Sequence, residues 1–194
     1  MKRILTLICL LQLFTICFSQ NKLQTGITIG YNSSTFIGND KPGKGLKPIP
    51  GFYLGGIINY PLNERFSMLS NVSLGSRGTE INTISDLYEY VVFLYLDVPV
   101  VLKMNLFTDK KISPYVLLGS AFNYNILATS ASGGPLNDIK KVDLGIVSGL
   151  GLDIRKVSIG MRYNYGVTKF DNSNLKFGLH NSTLSILIGI TFNK

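Results

Sequence analysis

The chain has 194 residues and a formal net charge of +8 at pH 7, and 45% of its residues are hydrophobic. This length suffices for one domain with its own core or for one closed barrel. The basic residues lie in short scattered clusters, without the aromatic-interleaved stripe of a nucleic-acid groove, so we expect no nucleic-acid partner.

The first twenty residues, MKRILTLICLLQLFTICFSQ, have the pattern of an export signal. Two basic residues precede an apolar run over residues 4–18, and the small residues Cys17 and Ser19 occupy the positions that a signal peptidase reads. We therefore predict that residues 1–19 are a cleaved signal peptide and that residues 20–194 form the mature domain.

Both cysteines of the chain, Cys9 and Cys17, fall inside this leader. The mature domain is therefore expected to have no disulfide and no cysteine metal site. We also expect no cofactor. Two other interpretations of the leader are open. About fifteen apolar residues are short for a membrane-spanning anchor, and Ile16 is bulky for the position before a lipoprotein cysteine.

Beyond the leader, apolar and polar residues alternate in eight runs, which predicts β-strands rather than helices. The runs span residues 22–32, 51–61, 66–77, 90–105, 113–125, 141–154, 157–168 and 182–193. Each is long enough to cross a bilayer as a tilted strand. Three connections between successive runs are short: residues 62–65, 106–112 and 155–156. The four other connections are long and rich in Gly, Ser, Asn and Pro. This alternation is typical of outer-membrane barrels, which have short periplasmic turns and long external loops.

The two faces of these strands differ in composition. In LYLDVPVVLKMNL, residues 94–106, every second residue from Leu94 onwards is apolar; this set is the apolar parity. The alternate residues, the second parity, include Asp97, Pro99 and Lys103. Across all eight runs the second parity is mostly Gly, Ser and Asn, whereas a water-facing surface carries charges at about a quarter to a third of its positions. We therefore predict an all-β, eight-stranded antiparallel up-and-down transmembrane β-barrel with its apolar parity towards lipid. A soluble lipocalin-like barrel, apolar inside, is the alternative, and Pro99 requires a bulge or a missing ladder bond.

Charged residues on the polar parity are predicted to point into the barrel. Five of them are expected to form a polar network there: Asp97, Lys103, Asp143, Asp153 and Arg162. Buried charges normally persist when they are paired, and Asp153 and Arg162 are the candidate partners of Asp97 and Lys103. Pairing through the turn 155–156 places Arg162 opposite Gly149. We favour this structural role over conduction or catalysis and assign no catalytic, cofactor or metal residue.

Four stretches in order carry a resemblance to a known family: LYLDVPVVLKMNL, SPYVLLGSAFNYN, VDLGIVSGLGLDI and IGMRYNYGVTKF. They resemble the strands of the PorT-like outer-membrane β-barrel family, and Asn71 stands where that family usually has an acidic residue. The resemblance implies a barrel in the outer membrane and brings no catalytic residues. The family's namesake is associated with a protein-secretion and gliding apparatus.

These features favour a small, monomeric, non-enzymatic outer-membrane protein with a structural, adhesive or accessory role, such as one in secretion, through its external loops. Its partners are expected to be the lipid bilayer and an unidentified protein at the loops. One alternative is an enzyme at the loop rim, for which the single histidine, His180, lies near Asp171 and Ser182 in the sequence. The other is a channel or small-ligand carrier, although eight strands leave little lumen.

Overall fold

The computed structural model describes residues 23–38, 45–82, 88–107, 111–130, 140–168 and 179–192, which form a closed barrel of eight antiparallel strands. The strands are β1 (Gln24–Ile37), β2 (Gly45–Pro61), β3 (Phe66–Asn82), β4 (Tyr88–Asn105), β5 (Ile112–Ser130), β6 (Val142–Ile154), β7 (Val157–Gly166) and β8 (His180–Thr191). Each strand pairs with its neighbours in the chain, and β8 closes the barrel on β1. The predicted all-β, eight-stranded antiparallel barrel is confirmed.

The two ends of the barrel are named by their connections. The short-turn end carries the β2–β3, β4–β5 and β6–β7 turns, and the long-loop end carries the remaining connections. No described residue belongs to a helix long and apolar enough to cross a membrane. The predicted signal peptide, residues 1–19, lies outside the described residues.

Several strands extend further towards the long-loop end than the sequence indicates. Residues 33–37 and 45–50, predicted as loop, belong to β1 and β2, and the connection between β3 and β4 contracts to residues 83–87. The strands β1 to β5 consequently have 14 to 19 residues, whereas β6 to β8 have 10 to 13. One side of the barrel therefore rises higher than the other.

Two prolines explain why the start of β2 resembles a loop in the sequence. Pro48 and Pro50 lack the amide hydrogen that a strand donates, and the β2–β3 register shifts between Pro48 and Tyr53. Side chains supply hydrogen bonds there. Phe52 N donates to Ser76 Oγ at 2.9 Å, and Asn32 Nδ2 donates to the carbonyl of Phe52 at 3.1 Å. Polar side chains of β1 and β3 thus hold β2 in the sheet.

The predicted inside and outside faces of the strands are also confirmed. The apolar parity is exposed, as shown by Leu118 and Leu150, which are 62% and 61% exposed. The opposite parity is buried, and Asn32 and Asn123 are almost fully enclosed. A soluble lipocalin-like barrel would have the opposite arrangement. The apolar outer surface matches the band that faces lipid in membrane barrels.

The interior contains more apolar residues than the predicted Gly, Ser and Asn. Towards the short-turn end, an apolar cluster is formed by Val101, Tyr115, Leu117, Ala121 and Val147. Towards the long-loop end, a second cluster is formed by Phe36, Val91, Phe93 and Tyr95. The Phe36 and Phe93 rings meet edge to face, 5.6 Å apart. The interior therefore contains apolar side chains towards both ends of the barrel.

Pro99 is accommodated by a gap in one ladder. The β3–β4 pairing keeps the same register on both sides of Pro99 and has no bulge there, but it is interrupted beside the proline. On its other side, Pro99 pairs with Ala121 of β5. Of the two predicted solutions, the structure therefore adopts the missing ladder bond.

Candidate functional site: the charged barrel interior

The charged residues predicted for the interior are all buried within the barrel: Asp97, Lys103, Asp143, Asp153 and Arg162. They are arranged at successive levels along the barrel. A sixth buried charge, Arg77, joins them from β3. Most of these charges have polar partners of their own, and Asn123 is shared by Arg77 and Asn164.

The level nearest the short-turn end contains an ion pair. Lys103 Nζ of β4 lies 2.7 Å from Asp153 Oδ2 of β6. The same ammonium group lies 4.1 Å from the centre of the Tyr115 ring, a cation–π contact. Gly151 and Gly160 face each other beneath this ring, and a Cβ added to either glycine would collide with the Tyr115 side chain. The two glycines therefore make the space that Tyr115 occupies.

The next level is held by Arg162 of β7. Its Nη1 donates to the hydroxyl of Tyr53 at 3.3 Å, and its Nη2 donates to Asn71 Oδ1 at 3.1 Å. The predicted position opposite Gly149 is confirmed by the β6–β7 register. Arg162 therefore spans the barrel from β7 to β2 and β3, and neutral groups receive its hydrogen bonds.

Among the residues that the structure describes, the most enclosed ion pair lies at the third level. Arg77 Nη2 lies 2.7 Å from Asp97 Oδ2, and the two side chains are 5% and 2% exposed. The guanidinium also lies 4.9 Å from the centre of the Tyr95 ring. Asn123 Oδ1 accepts weaker hydrogen bonds from Arg77 at 3.4 Å and from Asn164 at 3.3 Å. The charged partner of Asp97 is therefore Arg77.

Arg77 was not among the predicted interior residues. It lies at the end of the predicted third run, and its pairing with β4 depends on a connection whose register the sequence does not set. One signal was nevertheless present, since Arg77 shares the polar parity of Asn71 and Ser73. In the structure, Ser73 pairs directly with Asp97. A long side chain four residues beyond Ser73 can reach that carboxylate.

Asp143 of β6 lies beside the third level, because it pairs with Asn123 in the β5–β6 ladder. Its Oδ1 accepts a hydrogen bond from Thr168 Oγ1 at 2.6 Å. Gly166 leaves room for the carboxylate, since a Cβ there would lie 2.9 Å from Asp143 Oδ1. This contact joins the start of β6 to the segment that follows β7.

Cavities in the barrel narrow from the short-turn end inwards. A cavity of about 320 Å³ opens at that end and reaches Lys103 and Asp153. A smaller one, of about 60 Å³, lies between Lys103 and Arg162. Beside Arg77, Asp97 and Arg162 the remaining void is about 10 Å³, and a buried water needs at least about 10 to 15 Å³. The middle of the barrel is therefore filled by side chains.

The residues proposed for an enzymatic rim have other contacts. His180 begins β8, its Nδ1 lies 3.0 Å from the carbonyl oxygen of Gly166, and its ring stacks on Tyr165. Ser182 Oγ lies 2.9 Å from the hydroxyl of Tyr163. Asp171 lies outside the described residues. Among the described residues, no group of three or more His, Cys, Asp or Glu side chains is placed to hold a metal ion.

Comparison with known sequences gives one family match. The model of the family described as "Outer membrane protein beta-barrel domain" matches residues 18–172. No curated protein matches the chain.

Solved structures of bacterial outer-membrane proteins share the fold. OprG from Pseudomonas aeruginosa is 13% identical over 90% of this chain and 98% of its own, with a TM-score of 0.54. Neisserial surface protein A is 14% identical over 87% of this chain and 97% of its own, with a TM-score of 0.51. The attachment invasion locus protein Ail of Yersinia pestis is 20% identical over 88% of this chain and 99% of its own, with a TM-score of 0.49. At these identities the similarity to OprG and to Neisserial surface protein A establishes the fold alone.

Proposed function

The chain belongs to the outer membrane protein beta-barrel domain family, and we propose that it is a non-enzymatic protein whose filled barrel supports a recognition surface at its long-loop end. Membership of this family indicates a location in the outer membrane, with lipid around the barrel. We further propose that the protein reaches this membrane by a cleaved signal peptide and acts as a monomer.

The observation that carries the proposal is the filled middle of the barrel. Arg77, Asp97 and Arg162 line a void of about 10 Å³, which is too small for a file of waters or for a ligand. The interior charges therefore serve to hold strands together. Activity is then expected at the ends of the barrel, where the connections lie.

The long-loop end is the better candidate because its strands are extended. β5 has 19 residues and β4 has 18, whereas β7 has 10. Hydrogen-bonded strands hold the connections above them on a rigid base, which suits a surface that binds a partner. The resemblance to the PorT-like family supports an accessory role in secretion as one form of this function, and adhesion is the other.

The test compares two matched sets of variants in bacteria that lack their own copy of the gene. In the first set, residues 39–44 and 131–139 are each replaced by a short Gly-Ser linker. In the control, the exposed residues Glu64 and Arg65 of the opposite end are replaced by serine. Cell–cell and cell–surface attachment and the amount of secreted protein are measured for equal amounts of folded barrel.

We expect the linker variants to lose attachment or secretion and the Glu64/Arg65 variant to behave as wild type. Wild-type behaviour of both linker variants in both assays would contradict a function at the long-loop end.

An enzymatic role at the rim has less support because His180 and Ser182 contact Gly166 and Tyr163 respectively. A histidine base needs a nucleophile or water within hydrogen-bond reach. We expect wild type and His180→Ala to release fatty acid from phospholipid vesicles at the same background rate. Hydrolysis by wild type that His180→Ala abolishes would overturn the non-enzymatic assignment.

A further inference from the structure

The apolar outer surface has unequal height around the barrel. On β4, eight successive outward positions from Tyr90 to Met104 are all apolar. At about 3.3 Å per residue and a tilt of about 40°, they span about 35 Å along the barrel axis, whereas the apolar band of such barrels is about 25 Å tall. On β8, the outward apolar positions end at Leu184, and Ser182 follows. The apolar surface therefore extends above the usual band on the β4 side.

A bulge in β5 enlarges this extension. The β4–β5 register shifts between Leu94 and Tyr95, which pair with Leu127 and Asn125 and leave Ile126 as the extra residue. As a result, Ile126 and Leu127 both lie on the outside, 49% and 57% exposed. Without the bulge, strict alternation would turn one of these neighbours inwards. The irregularity thus adds an apolar side chain to the outer surface.

The extension is bounded by polar groups on its β3 side. Glu80 of β3 pairs with Tyr90 in the ladder and forms an outward ion pair with Lys47, 3.4 Å apart, in which the Lys47 side chain is 62% exposed. Charged groups of this kind belong in water or among headgroups. On the opposite side, β6 begins at Val142, so the last residues of β5 rise beyond it.

We propose that the upper β4–β5 face, formed by Val92, Ile126 and Leu127, contacts lipid acyl chains of the outer leaflet. The face is continuous with the lipid-facing surface below it through Leu94, and acyl chains are the occupant that this continuity indicates. The barrel is consequently inclined, with the long-loop end of β4 and β5 deeper in the membrane than that of β1 and β8. This inference concerns seating in the bilayer and is independent of the function proposed for the loops.

A matched control exists on the other side of the barrel. Ile37, the last residue of β1, is 43% exposed, and Val92 is 38% exposed. Two polar outward positions, Ser33 and Thr35, separate Ile37 from the lipid-facing surface. The inclination therefore predicts that Ile37 lies outside the acyl region although it is as apolar and as exposed as Val92.

The chain contains no tryptophan, so each single-tryptophan variant gives one fluorescence signal. The test uses Val92→Trp and Leu127→Trp, with Leu118→Trp as the lipid-embedded reference and Ile37→Trp as the control. Each variant is refolded into phosphatidylcholine vesicles, with or without bromine on the acyl chains. Heat-modifiable gel mobility verifies folding, and bromine quenches a tryptophan that touches the chains.

We expect Val92→Trp and Leu127→Trp to lose the same fraction of emission as Leu118→Trp, and Ile37→Trp to lose little. Weak quenching of both β4–β5 variants, equal to that of Ile37→Trp, would overturn the proposal. A face covered by a second copy or by another region of the chain would give that result. Equal strong quenching of all four variants would also overturn the inclination.

Discussion

Two ion pairs inside the same barrel differ in their surroundings. Arg77 with Asp97 and Lys103 with Asp153 have the same nitrogen–oxygen distance, 2.7 Å. The first pair is sealed beside a void of about 10 Å³, whereas the second borders a cavity of about 320 Å³ at the short-turn end. The comparison shows that equal geometry does not imply equal energy, because the consequence of losing a partner depends on whether water can replace it.

The sealed pair should be the more sensitive of the two. Replacing Arg77 by methionine leaves Asp97 as an unpaired charge in an enclosed site, which costs about 3 to 5 kcal/mol. We expect the free energy of unfolding of Arg77→Met, measured by urea titration in lipid vesicles, to fall by that amount. A loss below about 1 kcal/mol, the level of an exposed pair, would show that water reaches this level.

The pair at the short-turn end should be more tolerant. In Lys103→Met, Asp153 keeps its place beside the cavity and can be hydrated, so we expect a loss of about 1.5 to 3 kcal/mol, typical of one hydrogen bond to a charged group. The same urea titration checks the order of the two variants. Greater destabilisation by Lys103→Met than by Arg77→Met would reverse the comparison.

Replacing both members of the sealed pair by apolar residues should have the smallest effect. Arg77 Nε and Asp97 Oδ1 are buried without a hydrogen-bond partner among the described residues, so the pair is incompletely satisfied. The double variant Arg77→Met/Asp97→Leu removes both charges, and such replacements are often neutral. We expect its unfolding free energy to lie within about 1 kcal/mol of wild type. A double variant as unstable as Arg77→Met alone would mean that the pair contributes net stability.

The alternation of the sequence was sufficient to predict the eight strands and their faces. Successive side chains of a strand point to opposite faces, and a barrel in lipid has one face towards lipid and the other towards its interior. Both the strands and their two faces are therefore visible in the sequence. The ends of the strands were less predictable. Pro48 and Pro50 indicate a loop, but side chains of neighbouring strands hold this segment in β2.

The residue opposite an interior charge in the ladder was predictable where a tight turn fixes the register. The turn at Arg155–Lys156 sets Arg162 opposite Gly149, and the structure has this pairing. The register of β3 against β4 depends on a longer connection, so the partner of Asp97 was missed. The levels of the other charges along the barrel also depend on the register between each pair of neighbouring strands. No local sequence pattern encodes that register around the whole barrel.

The most direct test of a filled, structural interior is the conductance of the refolded wild-type protein in a planar lipid bilayer. Heat-modifiable gel mobility of the same preparation establishes that the barrel is folded. We predict no discrete current steps when voltage is applied, because Arg77, Asp97 and Arg162 close the middle of the barrel. Reproducible current steps from folded protein would contradict this account and would assign the interior charges to an ion pathway.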